Sequence, residues 1–148
     1  MEFNELLADF AKRHNVDNLV VVDGAASLDI DGIIVTIVAN DETLTLSAEI
    51  GEPPAEGAGT FANLLLEANL QSGACFAKGP EQGPYLVVRR LPLHSVDVDA
   101  FDVALEAFVN NAETWRRLLA DFRPVAKAAA GQAEAESPSF GSTGFMQV

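Results

Sequence analysis

An α+β fold, a twisted antiparallel sheet with three helices, is the class this sequence predicts. Three observations carry that reading. The hydrophobic period switches along the chain between about 3.6 residues, which marks helices, and about 2, which marks half-buried strands. The short-period runs are joined by turns containing Gly, Asp or Pro, as antiparallel hairpins require. The helical segments open, divide and close the series, giving the order α-β-β-β-α-β-β-α.

The first helix covers residues 2–14. Phe3, Leu6, Leu7, Phe10 and Ala11 recur on one side, with Asn4, Glu5, Asp9 and Lys12 on the other. Asn15 and Asp17 supply turn chemistry after it. Leu19–Val22 is a short apolar run broken by Asp23-Gly24. Ser27–Asp31 alternates and runs into Asp31-Gly32, a two-residue hairpin signal because both residue types tolerate positive φ. Ile33–Ala39 follows as a strand with apolar residues on both faces, Ile34 and Val38 flanking Thr36 on the second. Burial within the fold and exposure for binding are both open readings of that second face. Residues 43–50 alternate cleanly, with Leu44, Leu46, Ala48 and Ile50 directed inward.

A loop at Gly51–Gly59 leads to a second helix, with Thr60 as expected N-cap and Gly73 as expected C′ residue. Phe61, Leu64, Leu65 and Ala68 form its stripe. Leu66 and Leu70 extend apolar character beyond what one buried side needs, which suits either a central core helix or a subunit interface. Cys75–Lys78 and Tyr85–Arg90 read as a hairpin around a Gly-Pro loop. Asp97 then caps a long helix, Val98–Phe122, striped by Phe101, Leu105, Phe108, Ala112, Trp115 and Leu119. Asp99 and Asp102 suit its positive end, and Arg116 and Arg117 its negative end. These elements make one domain over residues 1–122. Residues 123–148 are Ala-rich, then Ser/Gly-rich, and read as a flexible C-terminal tail.

The chain has 148 residues, a hydrophobic fraction of 49% and a net charge of −13. Residues 1–122 hold 20 acidic and 7 basic side chains, while the tail holds two of each, so the folded part carries the whole imbalance. With no basic face to displace counterions from phosphates, nucleic acid and anionic membrane are disfavoured as partners. The acidic, amphipathic start lacks a signal peptide's pattern, and Cys75 alone allows no internal disulfide; both point to a cytoplasmic protein.

Chemistry is scarce. His14 and His94 stand apart in sequence, outside any ligand-spaced pair. Cys75 has no CxxC partner and reads as a buried small hydrophobe. Asp29, Asp31 and Gly32 lack the closing Glu of a calcium loop, and Gly57-Ala58-Gly59 lacks the Lys-Ser/Thr of a phosphate loop. Trp115 belongs to an apolar stripe. No catalytic, cofactor or metal residue is expected, so function is to be sought in binding surfaces.

Residues 1–122 resemble the class I type III secretion chaperones, the Tir chaperone (CesT-like) family. The resemblance rests on the opening amphipathic helix, the SLDIDG turn before a strand pair, the LLLEANL helix and the LPL…VDVDAFDVALEAFVNNAETWRRLL ending. It implies a homodimer that binds the N-terminal chaperone-binding segment of a secreted effector and keeps it soluble and export-competent without ATP. The export apparatus is a further implied partner. The client surface is then expected on the first helix and the sheet, at Phe3, Leu7, Phe10, Ile34 and Val38. The dimer interface is expected on the second helix and following hairpin, at Leu66, Leu70, Phe76 and Val88. A non-secretion adaptor or regulator on the same fold is the alternative, and a small enzyme built from unremarkable residues a more distant one.

Overall fold

Residues 2–17, 19–71, 74–81 and 83–124 are described in a computed structural model of the chain. Helix α1 spans Phe3–His14. Four strands follow: β1 (Val20–Val22), β2 (Ala25–Ile30), β3 (Ile33–Ala39) and β4 (Thr43–Gly51). Helix α2 (Ala58–Ala68), β5 (Cys75–Lys78), β6 (Tyr85–Pro92) and α3 (Val98–Ala120) complete the order. All six strands join one antiparallel sheet ordered β1-β2-β3-β4-β6-β5.

The class is as expected, with one strand more than the sequence reading counted. Val20–Val22 pairs with β2 through a turn in which Asp23 (φ 50°) and Gly24 (φ 75°) both take left-handed backbone. Asp31 (φ 53°) and Gly32 (φ 87°) repeat that geometry between β2 and β3. The twist of such primed turns matches the twist of the strands they join, which is why Asp-Gly recurs there. Asp29 reinforces the second turn, its Oδ1 accepting from the Gly32 N–H at 2.9 Å.

Alternation decides which sheet face is covered. Leu28, Val35, Ile37, Leu46 and Val87 lie on one face and are buried. Helix α3 runs over β4 and β3, with α1 against it; Phe10 meets Phe101 edge-on at 5.3 Å between ring centroids. Helix α2 covers the β5–β6 end. There Phe61 stacks on Tyr85 at 5.6 Å and meets Phe122 edge-on at 5.2 Å.

The helix ends follow local chemistry unequally. Asp97 caps α3 as expected, its Oδ1 accepting from the Ala100 N–H at 2.8 Å. Helix α2 begins earlier than expected. Thr60 is inside it, and the N-cap is Gly57 with φ 81° and no side-chain cap. A Cβ at Gly57 would lie 3.0 Å from both the Phe122 ring and Pro124. Tight packing, rather than a hydroxyl, sets that boundary. The expected C′ residue Gly73 and the expected tail beyond Pro124 lie outside the described residues. At its other end α2 is tied to β5, the Asn69 Oδ1 accepting from the Phe76 N–H at 2.6 Å.

Candidate interaction surfaces

The second face of the sheet carries no buried residue among those described. Register places Ser27, Thr36, Ser47, Val88 and Cys75 in one cross-strand row, all on this side. Apolar side chains break the polar pattern: Ile34 is 57% exposed and Val38 45%. In β1, Val20 and Val22 add to the same side, paired with Ser27 and Ala25. Ile34 and Leu86 line a shallow depression of about 570 Å³ with Thr36, Ser47, Glu49 and Arg116. Arg116 reaches it from α3, where its Nη1 donates to the Gly32 carbonyl at 3.1 Å. Among the described residues, the edge strands β1 and β5 each have one side without a partner strand. The open side of such a strand offers N–H and C=O groups for pairing with another chain.

Of the residues expected to bind a client, Ile34 and Val38 lie on this bare face. Phe3, Leu7 and Phe10 do not: they are buried at 8%, 1% and 5% exposure. The single apolar stripe of α1 is used up in packing, so no apolar side remains for a client. Of the residues expected at a subunit interface, Leu66 (63% exposed) on α2 and Leu70 (88%) in the turn after it project into solvent. Val88 is half-buried on the bare face. Phe76 faces the other way and is buried against Trp115 at 5.0 Å. Period-2 reading of β5 was open to either phase. The phase realised puts Phe76 inside and leaves Cys75 exposed, so Cys75 is not the buried hydrophobe expected.

A second concavity, of about 770 Å³, lies on the helix side between the end of α1, the first half of α3 and the β2–β3 turn. Arg13 closes one end, its Nη1 2.7 Å from Asp99 Oδ1 and 3.4 Å from Asp102 Oδ2. The hydrogen bond to Asp99 leads in holding that guanidinium charged above its ordinary range. His14 bonds Asp102 at 2.9 Å, and His94 meets the Asp41 carbonyl at 2.7 Å; both imidazoles are exposed and far from each other in sequence. Burial raises the Tyr85 phenol above its usual value, and its hydroxyl reaches the Ala58 carbonyl at 3.4 Å. Among the described residues no group of three or more His, Cys, Asp or Glu is placed to hold a metal ion. No helix there is long and apolar enough to cross a membrane.

Sequence reasoning missed the contribution of β1 to the bare face. The signal was present as three valines ahead of an Asp-Gly dipeptide, but three residues are too few for alternation to show.

The described residues thus form a helix-flanked antiparallel sheet with one covered and one exposed face. The chain belongs to the Tir chaperone protein (CesT) family, whose pattern matches residues 5–116. This is a family of class I type III secretion chaperones, as the sequence resemblance implied. Among solved structures, the ExsC–ExsE complex matches with a TM-score of 0.68 and 24% identity, over 78% of this chain and 92% of that one. The HopA1–SchA chaperone–effector complex matches at 0.66 and 19%, over 78% and 93%. YbjN from E. coli, described as a putative transcription regulator, matches at 0.60 and 18%, over 79% and 91%. At these identities the likeness establishes the fold. No curated protein sequence matches the chain.

Proposed function

We propose that this chain is a dedicated export chaperone, binding the N-terminal chaperone-binding segment of an effector and keeping it soluble and export-competent without ATP. The bare sheet face carries the reading. A face with Ile34, Val38, Val20 and Val22 exposed together is packing capacity that the described residues leave unused. An extended client segment lies along that face and pairs with the open side of β1 or β5, main-chain bonds giving affinity with little demand on sequence. The net charge of −13 keeps such a surface soluble and favours clients of opposite sign. A second copy of the chain joins through the outer side of α2, at Leu66 and Leu70, with Val88 at the border. The complex works in the cytoplasm and delivers its client to the export apparatus, with no role for nucleic acid or membrane.

Co-expression with the products of neighbouring genes tests the central claim. A client is expected to co-purify with the wild-type chain and to be lost from Ile34→Asp and Val38→Asp variants that keep the wild-type melting curve. A complex left intact by both variants removes the sheet face from consideration. The YbjN likeness favours a second reading, an adaptor holding a folded partner. Limited proteolysis separates the two: a client in extended form is cut within the complex, whereas a folded partner resists.

A further inference from the structure

The concavity beside α3 is set apart from the bare sheet face, and its shape and charge select a different kind of contact. Along α3, Asp99, Val103, Glu106 and Asn110 are spaced four, three and four residues apart and so form one stripe. All four are exposed, Val103 at 69%. The stripe spans about 16 Å of helix, three turns. Val103 is the exposed apolar side chain of the groove; Val16 and Ile30, half-buried, form its apolar floor above the buried Phe10, Leu28, Leu105 and Val109. Its rim holds five carboxylates, Asp29, Asp31, Asp99, Asp102 and Glu106, against one arginine. Arg13 already answers Asp99 and Asp102 at the α1 end. Asp31 and Glu106 make no ion pair among the described residues.

We infer that this groove docks a basic amphipathic helix of a polypeptide partner, its apolar row on Val103 and the floor and its Lys or Arg side chains on Glu106 and Asp31. A helix fits better than a strand for a geometric reason. The wall is itself a helix stripe of heptad-like spacing, and β2, at the floor, is already paired on both sides by β1 and β3, leaving no edge to extend. The sign follows from the rim, where Arg13 shows how a cation is received. The proposal rests on the polypeptide-binding reading above and adds to it a charge-selective contact on the opposite side of the sheet.

The probe is a synthetic 15-residue peptide with Leu at helical i, i+3, i+4 and i+7 positions flanked by Lys, beside a twin with Glu replacing Lys. Amide shifts of the full-length chain are followed by NMR. The Lys peptide is expected to move Val103, Glu106, Asn110 and Asp31, and the Glu twin to move none of them. Affinity is expected to fall about tenfold in Glu106→Lys, where attraction becomes repulsion at a partly exposed pair, and to weaken with salt. Val103→Ser is a second variant; both positions are exposed, so folding should be untouched, with thermal melts as the check.

Equal binding of the two peptides overturns the proposal, as do shifts confined to Ile34, Val38 and Leu86. The same amides shifting when residues 125–148 are deleted would mean that the chain's own tail fills the groove, which also overturns it. A change in solution mass in Val103→Ser would do the same by assigning the groove to a second copy. Client capture lost only by Ile34→Asp, with no effect of Glu106→Lys on either peptide or client, sinks this inference and leaves the chaperone reading standing. Lys-peptide binding without any captured client has the reverse meaning.

Discussion

Helices α2 and α3 are both rich in large apolar residues, but they spend them differently. Over 23 residues α3 buries Phe101, Ala104, Leu105, Phe108, Val109 and Ala112 in a continuous stripe. Over 11 residues α2 buries only Phe61 and Leu65, while Leu64 and Leu66 on it and Leu70 in the turn after it stay exposed. One helix is sealed on its own sheet and capped by a carboxylate; the other is anchored by two side chains and starts at an uncapped glycine. The orderly stripe of α3 is core, whereas the apolar content of α2 beyond Phe61 and Leu65 stays at the surface.

The contrast is broken most severely by emptying the α3 side. Phe108→Ala should lose about 3–5 kcal/mol of unfolding free energy in urea titration, since a buried aromatic leaves a cavity as well as lost contacts. A loss under about 1 kcal/mol would mean that α3 is not the structural member of the pair. Asp97→Ala removes the α3 cap and should cost about 1 kcal/mol by the same measurement, whereas Thr60→Ala at the start of α2 should change little because Thr60 caps nothing.

Tyr85 sharpens the comparison from the α2 side, since it stacks on Phe61 and reaches Ala58. Its phenol is raised in the fold, so the unfolded chain ionises first as pH climbs past about 10. The folded form then holds more protons than the unfolded one, and stability present below that pH is lost above it. Tyr85→Phe should abolish this alkaline decline between pH 9 and pH 11 and cost within about 1 kcal/mol at neutral pH, given the long 3.4 Å hydrogen bond. The smallest effect on the folded chain belongs to the pair Leu66→Asp and Leu70→Asp, within about 0.5 kcal/mol of wild type. Light scattering should show these variants at half the wild-type mass. A wild-type chain that is already monomeric at micromolar concentration would end the dimer proposal.

Legibility in the sequence tracked the strength of periodic signals. β4 alternates without a break, and α3 keeps its stripe and its Asp97 cap, so both were readable. The Asp31-Gly32 turn was readable because its backbone demand is local. Three things were not. β1 is too short to display a period and counts as a strand only through its partner β2. Cys75 and Phe76 are neighbours whose phase is fixed by pairing with Val88 and Val87, a fact external to β5. The apolar stripe of α1 looks the same whether it faces the core or a client, and the fold buries Phe3, Leu7 and Phe10, the last against Phe101 of α3. Of the candidate surface, Ile34 and Val38 were legible, because β3 had more apolar residues than one face requires. The acidic groove was not, since α1, the β2–β3 turn and α3 lie far apart in sequence.

The chain's single tryptophan gives the α2 seam an optical readout of its own. Trp115 is half-buried on α3, with Phe76 of β5 at 5.0 Å and Phe61 of α2 at 6.0 Å. Its indole therefore sits where three elements meet. Unfolding carries that one fluorophore from a half-buried seam into water and shifts its emission. Emission from unlabelled protein thus reports directly on whether α2, α3 and β5 stay packed together.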